Sequence, residues 1–440
     1  MSNLLLSYYG DDLTGSTDVM EALTSRGVPT VLFTQQPTDA QRAKFAQARA
    51  IGLAGASRSQ SPAWMDANLT PAFAWLKSLG AAHCHYKVCS TFDSSPTIGS
   101  IGRALDIGAQ VFGGDFAPLV VGAPQLKRYT AFGNLFAAYQ GETYRIDRHP
   151  VMSRHPVTPM DEADLRLHLG RQTDKPIRLI DLVALRGLQV DAEVERLATP
   201  GAGVVLFDVV DLDTQLAVGR QLARLRVRAP FVVGSSGVEY ALLAAWAEAG
   251  LIPGAAEFVE PGPADRIAVV SGSCSPTTAR QIRHAEAHGF DGHAVHAGRL
   301  AAGETGAVEQ AIDRGLASLA AGRSALIYTA LGPETDVSAD FAGDESRHAI
   351  GAALGRIQRA LVERAGLRRA VIAGGDTSSH ALRQLGVYAL TTLLPLPTTP
   401  GSPLCLAHSD DMTFDRLEIA LKGGQVGGDD YFSKIKFGTA

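Results

Sequence analysis

The sequence is poor in the features that mark several classes of protein. It has only four cysteines, no two of which form a CxxC pair, so neither a disulfide framework nor a structural zinc site is indicated. Lys and Arg number 40 against 45 Asp and Glu, a net charge of -5, and no long basic block occurs. We therefore expect neither nucleic acid nor a membrane surface as a partner. No apolar run has the length of a membrane span and no basic region precedes the first one, so a cytoplasmic, reducing setting is the simplest expectation.

Two familiar nucleotide-binding signatures are missing as well, since no stretch matches GxxxxGKS, GxxxxGKT or GxGxxG. The 440 residues are 46% hydrophobic and 19% charged, and short apolar runs alternate with amphipathic stretches along the chain. This alternation is typical of βα units and predicts an α/β fold with mainly parallel sheets. Because the chain is too long for one core and residues 251–265 are rich in Pro and Gly, we predict two domains, residues 1–255 and residues 262–440.

Two adjacent carboxylates follow the first predicted strand. The apolar run 4–9 ends at Gly10-Asp11-Asp12, and an amphipathic helix is predicted from Ser16 to Gly27. Ligands of parallel sheets bind beyond the carboxyl ends of the strands, so Asp11, Asp12 and Thr14 are candidate binding residues. The alternative, which spacing alone leaves open, is that Asp12 or Thr14 only caps the helix.

A loop dense in hydroxyls follows the predicted strand 83–88. It has the sequence CSTFDSSP from residue 89 and comes directly after Lys87. We favour a polyhydroxylated ligand bound by Lys87, Ser90, Thr91 and Asp93, because the loop again follows the carboxyl end of a strand. The competing interpretation is a set of Asx and Ser/Thr turns with a helix N-cap.

A cationic loop covers residues 144–156. Its three arginines, Arg145, Arg148 and Arg154, could hold a carboxylate through bidentate guanidinium contacts. For any single arginine, pairing with a nearby acid is the alternative. His149 and His155 lack the spacing of a helical metal pair.

Three glycine or serine loops follow predicted strands in the C-terminal half. They lie at 271–275, 374–377 and 423–427, and the second is expected to lead into a helix from about His380. Paired glycines let the backbone approach a phosphate, Thr377 could cap the helix or touch a phosphate, and Asp376 could hold magnesium directly or through water. One shared nucleotide explains three such loops better than three independent turns.

Five motifs that span nearly the whole chain resemble those of the four-carbon acid sugar kinase family. They are GDDLTGSTD from residue 10, YKVCSTFDSS from 86, SGSCS from 271, GGDTSSHAL from 374 and LKGGQVGGDDYF from 421. The resemblance implies two Rossmann-like domains with a cleft between them, an acid-sugar domain followed by a nucleotide domain, and ATP-dependent phosphorylation of a terminal hydroxyl. It implies ATP and Mg²⁺ as cofactors, and a homodimer is a possible assembly. The ATP site that it implies draws on Ser271, Ser273, Ser275, Gly374, Gly375, Asp376, Thr377, Gly424 and Gly427.

Departures from the family pattern bear on the substrate. The family motif has alanine where Gly10 and Ser16 stand, and the CSTFDSS loop resembles the 3-oxo-tetronate kinase branch rather than threonate and erythronate kinases. A related branched acid, 3-oxo-isoapionate, is a competing substrate. No arginine follows Thr91, so the cationic loop is expected to supply the carboxylate anchor, through Arg148 and Arg154. Asp12 is the expected base and Asp11 the alternative.

Functions outside this prediction stay open at the level of sequence. Within the same family the alternative is a threonate or erythronate kinase. From other classes the alternatives are a dinucleotide-dependent dehydrogenase and a non-catalytic nucleotide-binding protein. The missing dinucleotide fingerprint counts against a dehydrogenase. The presence of both the acidic motif and the GGDT loop counts against a non-catalytic nucleotide-binding protein.

Overall fold

The computed structural model describes residues 4–332 and 344–440, and the chain divides into two compact units. Unit 1 comprises Met1–Val31 and Thr38–Ala256, and unit 2 comprises Leu32–Pro37 and Glu257–Ala440. Apart from the short segment Leu32–Pro37, the chain passes from unit 1 to unit 2 inside the Pro- and Gly-rich stretch 251–265. Both units mix helices with parallel strands, which confirms the predicted α/β class.

Strands of the first part of the chain form a parallel sheet and a small antiparallel one. Their bounds are β1 Leu6–Gly10, β2 Thr30–Phe33, β3 Ala50–Ala54, β4 His83–Lys87, β5 Phe116–Val120, β6 Arg128–Ala131, β7 Asn134–Tyr139, β8 Glu142–Arg145, β9 Ile177–Ile180, β10 Gly203–Phe207 and β11 Phe231–Gly234. The parallel sheet of unit 1 has the order β3-β1-β4-β11-β5-β10-β9. Strands β6, β7 and β8 pair antiparallel.

Most helices of unit 1 begin at a polar residue whose side chain caps them, and α7 and α9 are the exceptions among those described. Their bounds are α1 Leu13–Ser25, α2 Asp39–Ala43, α3 Pro62–Ser78, α4 Ile101–Phe112, α5 Leu165–Gly170, α6 Leu182–Arg186, α7 Val190–Leu197, α8 Leu212–Leu225 and α9 Gly237–Glu248. Ser61 and Ser100 accept backbone N–H groups at the starts of α3 and α4. Gly27, just beyond α1, has a φ of +76°, as a left-handed helix end requires.

Unit 2 repeats this alternation with different connections. Its strands are β12 Ala268–Ser271, β13 Phe290–Ala294, β14 Ser324–Tyr328, β15 Arg369–Ala373, β16 Val387–Leu394, β17 Leu404–Ser409 and β18 Glu418–Lys422. Its helices are α10 Pro276–Ala287, α11 Ala297–Ala301, α12 Thr305–Ala320, α13 Asp344–Ala365, α14 Gly375–Gln384 and α15 Tyr431–Phe437. The order β13-β14-β12-β15-β18 is parallel, and β17 and β16 continue it antiparallel.

The central strands of both parallel sheets are buried along their length, as expected when helices cover both faces of a sheet. Every residue of β1, β4, β5 and β15 is buried. In unit 2, Ile267, Val269, Leu326 and Val371 belong to one apolar core with side chains of α10 and α15. Among residues 4–332 and 344–440, no helix combines the length and the apolar composition that crossing a membrane requires.

Three local predictions were wrong. Helix α14 begins at Gly375 rather than near His380, because Gly374 already takes the cap position with a φ of +119°. Helix α1 begins at Leu13 rather than Ser16, because Asp12 caps it. The region between β5 and the cationic loop contains the antiparallel strands β6 and β7, which the sequence analysis did not predict.

Candidate functional site

The polar loops of unit 1 start at one edge of its sheet. Gly10, the last residue of β1, pairs in register with Ala54 of β3 and with Lys87 of β4, and Lys87 pairs with Gly234 of β11. The carboxyl ends of four neighbouring strands therefore lie side by side. After β1 the chain continues to β3 on one side, whereas after β4 it continues to β5 on the other side. Parallel sheets bind ligands in the crevice that such opposite connections leave between two neighbouring strands.

The adjacent carboxylates Asp11 and Asp12 have different environments. Asp12 caps α1: its Oδ1 accepts the N–H of Gly15 at 2.6 Å, and its Oδ2 accepts the hydroxyl of Thr14 at 3.1 Å. Asp11 is 5% exposed, and its buried Oδ1 has no hydrogen-bond partner among the described residues. Burial, and next the charge of Asp12, raise the pKa of Asp11 to about 7. Capping thus accounts for Asp12 and Thr14, whereas Asp11 is poised to exchange a proton near neutral pH.

Arg58, which the sequence analysis did not select, links the acidic motif to the hydroxyl-rich loop. It lies in a short 3-10 turn, Ser57–Ser59, that follows β3. Its Nη1 donates to Asp12 Oδ2 at 3.2 Å, and its Nη2 lies 3.1 and 3.0 Å from the two carboxylate oxygens of Asp93. Burial alone would raise the pKa of Asp93, but the charge of Arg58 and the hydroxyl of Thr91 hold it below its usual value. The only hint in the sequence is the position of Arg58 after a predicted strand.

Lys87 lies at the same edge of the sheet and is 3% exposed. Its Nζ is 3.0 Å from the position that a Cβ would take at Gly15, in the first turn of α1. Burial alone would lower the pKa of Lys87, but the carboxylates of Asp18, Asp11 and Asp12 outweigh it and raise the pKa. The ammonium therefore stays charged beside the acidic motif.

The hydroxyl-rich loop is held by a hydrogen bond within the loop and by a hydrogen bond from Thr158. Thr91 donates its hydroxyl to Asp93, and Ser90 is half-buried in the turn before it. Thr158 donates its hydroxyl to Asp93 at 3.4 Å, and its N–H lies 3.1 Å from Nδ1 of His155. The chain after the cationic loop thus reaches the site through Thr158 and His155.

Two arginines of the cationic loop lie beside an acid of the same loop, and the third is exposed. Arg145 makes two hydrogen bonds of 2.7 and 2.6 Å to Asp147, and Arg148 lies 3.5 Å from the same carboxylate with its side chain 74% exposed. Arg154 is exposed. Pairing with a nearby acid, the alternative weighed from sequence, describes Arg145 and Arg148. Their role as a carboxylate anchor stays a prediction.

In unit 2 the three glycine and serine loops begin in register. Ser271 of β12 pairs with Ala373 of β15, and Ala373 pairs with Lys422 of β18. In the order β14-β12-β15, the chain continues from β12 toward the β14 side and later returns to form β15 on the opposite side of β12. The three loops therefore surround the switch point of this sheet, where the backbone of such folds meets phosphates.

These three loops contact one another. Ser275 caps α10 by accepting the N–H of Thr277 at 3.1 Å, and Pro276 takes the first helical position, both as predicted. A Cβ at Gly272 would lie 2.2 Å from Oγ1 of Thr377, and a Cβ at Gly424 would lie 3.2 Å from Oγ of Ser273. Glycine is required there because the loops approach too closely for a side chain.

Among these loops, Gly375 has open space beside its backbone. Gly375 is the first residue of α14, and a Cβ built on it would meet no atom within 4 Å. The first N–H groups of a helix have no partner within the helix and can bind an anion. Gly427, with a φ of +88°, lies close to Gln281 and Tyr431 instead. The side chain of Asp376 lies outside the described residues, so its role as a magnesium ligand stays a prediction.

Comparisons with known proteins match both halves of the chain. A sugar-binding N-terminal domain matches residues 6–242, and a nucleotide-binding C-terminal domain matches residues 268–432. The chain is 47% identical to a 3-oxo-isoapionate kinase of Paraburkholderia graminis, over 99% of this chain and 95% of that protein. The chain belongs to the four-carbon acid sugar kinase family.

This four-carbon acid sugar kinase is also 34% identical to a 3-oxo-tetronate kinase of Methylobacterium radiotolerans, over 98% of each chain. The crystal structure of a Haemophilus influenzae protein matches its fold with a TM-score of 0.71 at 24% identity, covering 98% of this chain and 99% of that one. The predicted resemblance is confirmed, and the protein is an ATP-dependent kinase of small sugar acids.

Proposed function

We propose that the enzyme phosphorylates a terminal hydroxyl of 3-oxo-isoapionate, with ATP as the donor. The observation that carries this proposal is the identity of 47% to a 3-oxo-isoapionate kinase, against 34% to a 3-oxo-tetronate kinase. The second candidate substrate is therefore a 3-oxo-tetronate. A threonate or erythronate kinase has less support, because the chain carries the CSTFDSS loop.

The acid sugar would bind at the carboxyl edge of the unit 1 sheet. The buried ammonium of Lys87 and the guanidinium of Arg58 are the cations of this edge and would bind the substrate carboxylate. Arg148 and Arg154 remain alternatives for that contact. Thr14, Ser90, Thr91 and Asp93 would hydrogen-bond the hydroxyl and oxo groups.

We assign the role of base to Asp11 rather than to Asp12. The carboxylate of Asp12 is engaged by Gly15, Thr14 and Arg58, whereas Oδ1 of Asp11 has no partner among the described residues. A pKa of about 7 suits a group that must take a proton near neutral pH. Asp11 would accept the hydroxyl proton as the substrate oxygen bonds to the γ-phosphorus and the bond to ADP breaks.

ATP would bind where the loops of unit 2 meet. The free N–H groups of the first turn of α14 and the open space at Gly375 suit a phosphate, and the hydroxyls of Ser271, Ser273, Ser275 and Thr377 line the neighbouring loops. Gly424 and Gly427 belong to the third loop. Mg²⁺ would neutralise charge on the phosphates, with Asp376 as the proposed ligand.

The test is ADP release by the purified enzyme with ATP and Mg²⁺ over a panel of acids. The panel holds 3-oxo-isoapionate, 3-oxo-tetronates, threonate and erythronate. We expect the highest kcat/KM with 3-oxo-isoapionate. A higher value with a 3-oxo-tetronate would select the second candidate, and turnover of threonate or erythronate alone would contradict both.

A separate binding test addresses the other classes. ATP with Mg²⁺ should raise the Tm of the protein, whereas NAD should leave it unchanged. A shift with NAD alone would favour a dehydrogenase, and a shift with ATP but no turnover on any acid would favour a non-catalytic binding protein. The cleft between the domains, the homodimer and the cytoplasmic setting stay predictions.

A further inference from the structure

Lys422, the last residue of β18, is a lysine with no exposed surface. Its ammonium lies between two of the three nucleotide loops of unit 2, the serine loop 271–275 and the last glycine loop 423–427. Long charged side chains are rarely buried unless they serve a specific set of contacts. Nothing in the proposed chemistry uses it.

The described hydrogen bonds of the Lys422 ammonium go to the last glycine loop and to the start of α10. Its Nζ donates to the carbonyl of Gly423 at 2.8 Å, to the carbonyl of Gly424 at 3.3 Å and to Oγ1 of Thr278 at 3.0 Å. Thr278 is in the first turn of α10, directly after the serine loop. The ammonium of Lys422 thus connects the start of α10, the helix that follows the serine loop, with the last glycine loop.

Thr278 extends this connection. Its hydroxyl donates to the carbonyl of Gly424 at 3.1 Å and lies 3.0 Å from Oγ of Ser273. A Cβ at Gly424 would lie 3.2 Å from that same Oγ, so the two loops approach each other closely here. The cluster of Ser273, Thr278, Lys422 and Gly424 is defined here as the loop clamp.

We propose that Lys422 is a positioning residue for ATP, which holds the serine loop and the last glycine loop at the spacing that the nucleotide phosphates need. The proposal rests on the proposed ATP site of unit 2 and does not depend on the identity of the acid. Its described partners, two carbonyls and a hydroxyl, carry no charge, so a bound phosphate would bring an opposite charge near the amine and would favour its charged form. Burial lowers the pKa of Lys422 to about 7, which fits a cation without a compensating carboxylate among these partners.

Three variants test the clamp. Lys422→Met removes the ammonium at similar length, Lys422→Arg keeps a charge, and Thr278→Val removes the hydroxyl at nearly constant shape. We expect Lys422→Met and Thr278→Val each to raise the Kd of ATP, measured by calorimetry on the full chain, by about tenfold or more. Lys422→Arg should recover part of that loss. The loss should appear mainly in the Kd of ATP rather than in kcat at saturating ATP, because the proposed role of the clamp is in nucleotide binding.

The double variant Lys422→Met with Thr278→Val shows whether the two residues act as one unit. We expect it to bind ATP no more weakly than the worse single variant, since both remove the same connection. The matched control is Gln358→Met, because Gln358 is also fully buried in unit 2 and donates to a backbone carbonyl, that of Ala268 at 3.1 Å. This control should lower the Tm without changing the Kd of ATP.

The outcomes separate the inference from the function on which it rests. A folded Lys422→Met variant with the ATP affinity of the natural enzyme would overturn the inference, and so would a variant with a lower Tm but an unchanged Kd. If Lys422→Met does not fold, Thr278→Val decides in the same way. If the natural enzyme itself bound no ATP, the proposed ATP site would fail first, whatever the variants did.

Discussion

Nη2 of Arg58 lies 3.1 and 3.0 Å from the two carboxylate oxygens of Asp93. The same guanidinium reaches Asp12, so one side chain connects the loops that follow β1, β3 and β4. Because Arg58 lies between these carboxylates, its guanidinium is held in one place, and its charge helps to keep the pKa of Asp93 below its usual value. In the proposed function, the substrate carboxylate would meet a guanidinium that is already oriented.

Removal of the Arg58 guanidinium should affect the acid and not the nucleotide. We expect Arg58→Met to lower kcat/KM for the sugar acid by about 10- to 100-fold, the loss of one or two charge-assisted hydrogen bonds. The KM for ATP should not change. Arg103→Gln is the control, since Arg103 is an arginine of unit 1 whose ion pair with Asp66 lies at the surface. Equal losses in both variants would argue against a role for Arg58 in the site.

The pH dependence of turnover should follow Asp11. The pKa of Asp11 is raised by burial to about 7, and only the ionised form can accept a proton, so kcat/KM should rise as the pH passes through about 7 and level off above it. We expect Asp11→Asn to lower kcat by about two to four orders of magnitude. A pH–rate profile of the natural enzyme from pH 5 to 9 and kcat values of the variant are the measurements.

Asp12→Asn is the comparison for that result. Asparagine also caps helices, so this variant should keep α1, while an amide nitrogen in place of Oδ2 can no longer accept from Arg58 or Thr14. A loss in Asp12→Asn as large as that expected for Asp11→Asn, with near-normal turnover in Asp11→Asn, would return the role of base to Asp12.

Much of the site could be predicted from sequence because strand ends are local signals. Asp11, Lys87, Ser271 and Gly374 each lie at or directly after the end of a buried apolar run, and parallel strands bring such ends to one edge of a sheet. Which ends are neighbours depends on strand order, which only tertiary packing decides. Arg58 was missed for this reason, since its importance arises from the position of β3 beside β1.

Local propensity also misled the prediction of α14. Two glycines followed by Asp and Thr are typical of a loop, and glycine disfavours a helix interior. The structure nevertheless begins the helix at Gly375, where a glycine at the first position costs little and leaves open space beside the backbone. The strands β6 and β7 were missed because they are short and because the alternating burial of β7 is not matched by alternating polar and apolar residues.

Open space at Gly375 predicts a selective effect of a methyl group. Gly375→Ala should fold normally, since a Cβ there meets no atom within 4 Å, but the methyl group should occupy space needed by a phosphate. We expect the KM for ATP to rise by about tenfold. Gly306→Ala is the matched control, because Gly306 is in the first turn of α12 of the same unit and is equally open. An unchanged KM in Gly375→Ala would place the phosphates elsewhere.

The two departures from the family motif at Gly10 and Ser16 form one structural change. A Cβ at Gly10 would lie 1.9 Å from Oγ of Ser16, and that hydroxyl donates to the carbonyl of Asp12 at 2.6 Å. Ser16 is fully buried, so it has little room to move. Alanine at position 16 would remove this closest contact, although Cβ of residue 16 would still lie 2.9 Å from a Cβ at position 10.

A double-mutant cycle tests this dependence. We expect Gly10→Ala to lower the free energy of unfolding by about 1–3 kcal/mol, the usual effect of an overpacked core. Ser16→Ala alone should cost about 1 kcal/mol, the loss of one hydrogen bond. The double variant, with alanine at both positions, should be more stable than Gly10→Ala, because the hydroxyl makes the closest of the contacts. Chemical denaturation of the four proteins measures the coupling, and strictly additive effects would contradict a contact between the two positions.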